Sequence, residues 1–169
     1  PGFEKVARSQ PLVLSFAQQR QWFLWQLEPH SATYNMPVAL RFKGALNQQA
    51  LRSSFDALIA RHETLRTTFR QEGEQAVQVI HARQSATIDI ERLDSEAAIQ
   101  ARVEAEILRP FDLIHGPLLR VKLLRLGDDD HVLVLTLHPL VSDGWSMPVM
   151  IEELVSPDEG YRPGDAVGL

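Results

Sequence analysis

A chain of 169 residues with 44% hydrophobic and 23% charged side chains is long enough for one domain, or one large lobe of something bigger. Its formal net charge of −5 supplies no basic field for nucleic acid or an anionic membrane surface, and no apolar run nears the ~18 residues of a membrane span. There is no cysteine, which excludes disulfides and thiolate metal sites; with no signal-peptide pattern at the start, a cytoplasmic setting is expected.

Residues 1–11 form an N-terminal extension to the first structural signal. Ser15-Phe16-Ala17-Gln18 has the capping-box form, Ser at the N-cap and Gln three residues on. It predicts a helix that carries Trp22, Phe23, Trp25 and Leu27 and stops at Pro29. Three aromatics in four positions imply burial on more than one side, with Trp22 and Trp25 in the core. After the polar H-S-A-T-Y-N piece, M-P-V-A-L-R-F-K-G alternates like a strand. Asn47 caps a second helix whose apolar positions Leu51, Phe55, Leu58 and Ile59 keep the 3.6-residue period.

Leu65 to Phe69 predicts a strand, Gln71 to Glu74 a turn, and Ala76 to Ile80 its hairpin partner. Residues 86 to 91 carry a weaker strand pattern. Asp94 or Ser95 caps a third helix with Ile99, Val103 and Ile107 on one face. The clearest strand pair is Leu118 to Leu126 with His131 to Leu137, joined by Gly127-Asp128-Asp129-Asp130. The second of these is apolar almost throughout, so it should be central and covered on both faces. Met147, Met150, Ile151 and Leu154 mark a last helix, capped by Ser146 or Asp143, with Pro148 in its first turn. Residues 156–169 have glycines, prolines and no periodicity, and are expected to be an irregular or disordered tail. This order of elements predicts an α+β fold, a mixed sheet packed against helices, over residues 12–155.

Gly-rich phosphate loops are absent, and His62-Glu63 lacks the second histidine of a zinc helix, so no metal site is expected. Chemistry is most plausible where the apolar strand ends, at His138-Pro139-Leu140-Val141-Ser142-Asp143-Gly144. On its own, a strand-end histidine commonly serves local backbone groups, and an Asp-Gly pair is commonly a turn or a cap. Yet acyl transfer needs such parts: a base within hydrogen-bond reach of the nucleophile, and donors for the oxyanion.

This stretch resembles the HHxxxDG signature of condensation domains in nonribosomal peptide synthetases, relatives of the chloramphenicol-acetyltransferase-like acyltransferases. Ser15 to Leu24 (S-F-A-Q-Q-R-Q-W-F-L) is similar to the family's S-x-A-Q-x-R-x-W motif, and Arg61 to Phe69 (R-H-E-T-L-R-T-T-F) to its R-H-E-x-L-R-T-x-F motif. Three long motifs in the family's order make the match highly specific. The resemblance implies an amide-forming acyltransferase that joins an acyl or peptidyl thioester to the amine of an aminoacyl thioester. Each substrate would arrive on the phosphopantetheine arm of a peptidyl or acyl carrier protein, through a tunnel between two lobes; no cofactor is expected to bind directly.

The second histidine of the signature is the one credited as base or amine positioner, and this sequence has Pro139 there. Proline offers no side-chain base, and on a strand His138 should point to the opposite face from position 139. Among the motif residues, Asp143 with Gly144 is expected to shape the loop and His138 to buttress it. Ser142 and Trp145 would line the tunnel mouth, Trp145 equally well serving the core. Arg61, His62 and Arg66 are candidates for substrate contact, although an internal ion pair of Arg66 or Arg20, with Asp143 as one partner, is the commoner use of such residues. The resemblance covers only the family's N-terminal lobe. The expectation is therefore a chain inactive alone, which works with a C-terminal lobe, pairs with a second copy, or serves as a non-catalytic docking module.

Overall fold

The computed structural model describes residues 12–142 and 147–154, and the backbone of residues 166–168. In chain order the elements are β1 (Leu12–Val13), α1 (Phe16–Leu27), β2 (Met36–Lys43) and α2 (Gln48–Arg61). A 3-10 turn (Glu63–Arg66) leads into β3 (Thr67–Glu72), followed by β4 (Gln75–Ile80), β5 (Ile88–Arg92) and α3 (Glu96–Ile107). Then come β6 (Leu119–Gly127), β7 (Asp130–Leu137), a second 3-10 turn (Pro139–Val141), α4 (Met147–Leu154) and β8 (Ala166–Gly168).

The expected α+β architecture is present, as two sheets. Five strands run in the order β5-β6-β7-β2-β8, with β5 and β6 parallel and the remaining neighbours antiparallel. A smaller antiparallel sheet has the order β1-β4-β3. The apolar run V-L-V-L-T-L occupies the centre of the larger sheet, as its composition requires. Leu133, Leu135 and Leu137 face the main core with Phe55, Leu58 and Phe69, while Val132 and Val134 face a second cluster with Ile99, Val103 and Leu124. Strand alternation thus serves two cores at once.

Three expectations need correction. First, α1 is not buried all round: Trp22 is buried, but Phe16, Phe23 and Leu27 are 90%, 58% and 62% exposed. The apolar residues of this helix fall on two faces, and only the one with Trp22 meets the core. Second, residues 63–66, partly assigned to a strand, form a 3-10 turn, because Arg66 turns inward to serve carbonyls and breaks the alternation. Third, within the tail expected to be irregular, Ala166–Gly168 pair with Leu40 to Phe42 as an edge strand.

The β6–β7 hairpin is anchored electrostatically at its turn. Arg41 on β2 makes two bonds to the Asp130 carboxylate, of 2.9 and 2.7 Å, and two more to Glu96 at the start of α3, of 2.7 and 2.8 Å. The hydrogen bond from Arg41, aided by Lys43, outweighs burial and holds Asp130 down at about 2, below its ordinary 3.8. A carboxylate depressed on folding contributes stability that is full above its unfolded value and lost as pH falls through its folded value. An Asp130→Asn variant should therefore unfold at lower denaturant concentration than the parent near neutral pH. The gap should begin to close below about pH 3.8 and vanish near pH 2, as read by urea titrations at each pH.

Candidate active-site loop

The loop begins as a continuation of β7. The His138 amide donates to Leu118 O at 3.0 Å, which extends the β6–β7 ladder by one bond, and His138 keeps extended dihedrals (φ −88°, ψ 139°) as a residue before proline must. Pro139 then opens the 3-10 turn, a position where its missing N–H costs nothing. The turn closes through Val141 N–H to His138 O and Ser142 N–H to Pro139 O, both 3.1 Å. The ring of His138 acts as the cap, its Nδ1 accepting from the Leu140 amide at 3.1 Å.

That bond fixes the chemistry of the histidine. With Nδ1 an acceptor, the neutral ring carries its proton on Nε2. The side chain is only 6% exposed, and burial first, then the charge of Arg120, push its pKa down to about 4. Phe111 packs on it nearly at right angles, with ring centroids 5.4 Å apart. A ring whose only lone pair is committed and whose pKa is this low is a poor general base near neutral pH.

His138 and Pro139 open onto different hollows, as alternation along an extended chain dictates. His138 lines a cavity of about 180 Å³ with Gln21, Trp25, Glu28, Tyr34 and Asn35. Pro139 and Leu140 line one of about 160 Å³ with Ala17, Gln18, Arg20 and Gln21. The residue in place of the family's second histidine therefore faces the start of α1. Gln18 joins the two elements: its Oε1 accepts from the Ser15 amide at 2.9 Å to complete the capping box, and its Nε2 donates to Leu140 O at 3.2 Å.

The structure places the other sequence-derived residues as follows. Asp143, Gly144 and Trp145 lie outside the described residues, so the expected Asp143 ion pair does too. Ser142 turns back on its own loop, its hydroxyl donating to Pro139 O at 2.8 Å. Arg66 is 5% exposed, and its guanidinium donates to Ile59 O, Ala60 O and His81 O. It ties down the C-terminal carbonyls of α2 rather than lying open to a substrate. Arg61 and His62 meet Glu153 on α4, at 3.0 and 3.1 Å, and thus clamp the helix that follows the loop rather than reaching either hollow beside it. Burial opposes ionisation of Glu153, but these two partners outweigh it and its pKa is lowered. Arg20 is exposed along the rim of the Pro139 hollow. Trp22 is core, as expected, stacked near Trp25 and Phe69 with centroids 5.3 and 6.5 Å away. Among the described residues no His, Asp or Glu cluster is placed to hold a metal ion, and no helix is long and apolar enough to cross a membrane.

Residues 8–161 match the family model described as the condensation domain. The chain belongs to the condensation-domain family. It is 47% identical over 170 residues to a component of the linear gramicidin synthase of Brevibacillus parabrevis, an overlap of 97% of this chain and 2% of that protein. Malpibaldin synthetase of Mortierella alpina is 42% identical, over 95% of this chain and 3% of its own length. Among solved structures, the X-domain in a complex with OxyB from teicoplanin biosynthesis is similar at a TM-score of 0.81 and 29% identity, over 92% of this chain and 35% of that one. The starter condensation domain of rhizomide synthetase shares the fold at a TM-score of 0.78 and 24% identity, over 92% and 40% of the two chains. The condensation-domain chain thus spans well under half of these solved chains and a few percent of the curated synthetases.

Sequence reasoning missed Arg120, Phe111 and the second bond of Gln18. A signal for Arg120 was present: in L-L-R-V-K-L-L its alternation puts a cation on an inward face, where it must find partners. For Gln18, Gln18→Ala removes both the reciprocal cap and the link to Leu140. It should lower stability by about 1–2 kcal/mol, against about 1 for Ser15→Ala, when compared by denaturant unfolding.

Proposed function

We propose that this lobe forms one wall of a condensation site in which the amine of an aminoacyl group attacks the thioester carbonyl of an acyl or peptidyl group. The C–S bond breaks, an amide forms, the thiol leaves on its phosphopantetheine arm, and the amine loses a proton. Both substrates come on carrier proteins, and the opposite wall comes from a C-terminal lobe or a second copy of the chain. The observation that shapes this reading is Pro139 at the family's second-histidine position, beside a His138 whose Nδ1 is already occupied. With no free base among the described residues of this loop, the lobe positions substrates without taking the amine proton through residue 138 or 139, and turnover should be down by about 10²–10⁴ from a histidine-bearing domain.

A second reading, a docking module without catalysis, is favoured by one feature. Phe16, Phe23 and Leu27 are all exposed at seven- and four-residue spacings that put them on one stripe of α1. The teicoplanin X-domain, similar in fold, is seen in complex with another protein, OxyB.

Amide formation from acyl- and aminoacyl-loaded carrier proteins separates these readings, comparing the chain with Pro139→His, each with the complementary lobe supplied. The unaltered chain should form product about 10²–10⁴ times more slowly than the variant. Equal rates from the two would contradict the first reading, whereas carrier binding with product from neither would favour docking.

A further inference from the structure

The segment from Glu106 to Phe111, between α3 and β6, carries no regular structure beyond its first residues yet is held at almost every carbonyl. Arg120 on β6 donates to Pro110 O at 2.7 Å, Arg109 O at 2.8 Å and Glu106 O at 3.3 Å. Asn35 adds bonds to Arg109 O at 2.8 Å and Ile107 O at 3.3 Å, and Trp25 Nε1 donates to Phe111 O at 3.0 Å. Phe111 is therefore gripped on both sides along the backbone. Its ring is gripped as well, because the Arg120 guanidinium carbon lies 4.0 Å from the ring centroid. That same ring stands nearly perpendicular to His138, at 83°.

Arg120 is expensive to keep where it is. It is buried, its Nε has no hydrogen-bond partner, and the nearest carboxylate oxygen, Oε2 of Glu106, is 3.6 Å away. Burial first lowers its pKa to about 10 in spite of Glu106, and Arg109 adds to the lowering. A Met or Leu would fill this space without desolvating a cation. A planar fork that bonds three carbonyls while lying over an aromatic face is something only arginine supplies.

We propose that Arg120 is a positioning residue for the site loop: acting through Phe111 and the 106–110 carbonyls, it fixes the His138 ring so that Nδ1 caps the Leu140 amide and holds residue 139 toward α1. The inference relies on the proposed function only for naming this loop as the site; its test reads the ring, not amide formation. Among the described residues, the charged and titratable groups on this side are Arg120 on β6, Glu106 beside it with Arg109 in turn beside Glu106, and Glu28 with Tyr34 on the wall of the hollow that His138 lines.

The test uses the whole chain labelled with ¹⁵N, following the His138 ring nitrogens and the Leu140 amide as pH falls from neutral. In the parent, Nδ1 should show the shift of an unprotonated acceptor until the ring titrates at about 4. In Arg120→Met the midpoint should rise by about one unit, and the Leu140 amide signal should move toward that of an uncapped turn. Arg120→Lys keeps a charge but loses the fork, so the Leu140 shift should appear with a smaller change in midpoint. Phe111→Leu, a milder change than Arg120→Met, should disturb the Leu140 amide on its own, and it carries the test if Arg120→Met does not fold. Arg66→Met is the control for simple loosening, since that arginine also serves three carbonyls but belongs to α2. It should lower stability and leave the His138 midpoint where it was. An unchanged ring and amide in Arg120→Met and Phe111→Leu would overturn the proposal, as would an equal change in Arg66→Met.

Discussion

The site depends first on a strand buried on both faces. β7 has core on either side, so neither its register nor its direction can slip without moving an entire set of side chains out of one cluster and into the other. The ladder to β6 runs past its last regular residue to His138 N–H···O=C Leu118, and the strand therefore delivers His138 and Pro139 to a fixed place. From there the backbone has one inexpensive route. Proline suits the first position of the 3-10 turn, and the preceding histidine is driven to extended dihedrals that let its ring fold back as a cap.

The same construction decides what the histidine can do. A ring that accepts from Leu140, packs on Phe111 and sits near a buried Arg120 is stabilised as a neutral acceptor, which is a structural use of imidazole. General-base work asks for the opposite, a free lone pair and a pKa near the working pH. The adjacent positions 138 and 139 face different hollows, and here only position 138 carries a histidine. The rest of the chain supports the loop from outside. Gln18 holds it from α1, and Arg61 with His62 holds α4, the helix beyond it, from α2.

What could be read from the sequence was what local chemistry determines. The Ser15–Gln18 cap, the two-faced β7, the hairpin turn before Asp130 and the opposite facing of His138 and Pro139 all follow from period, cap and turn rules acting within a few residues. The three family motifs placed the loop and its neighbours along the chain. Destinations that depend on residues far away were not legible. Nothing local tells Arg66 to reach the carbonyl of His81, which lies 15 residues on, or Arg61 to meet Glu153, which lies 92 residues on. The aromatics of α1 were misjudged for a related reason: apolar content signals that some burial occurs, but tertiary packing selects Trp22 and leaves Phe16 and Phe23 outside.

The central claim is that the ring of His138 locks the turn by accepting the Leu140 amide proton, and hydrogen exchange at that single amide tests it most directly. Leu140 N–H should exchange as slowly as the amides of β7, and the protection should drop as pH falls through about 4, when Nδ1 takes a proton and ceases to accept. If Leu140 exchanges at the rate of an open loop at neutral pH, the ring does not cap the turn, and nothing then commits the Nδ1 lone pair that keeps His138 from serving as the base.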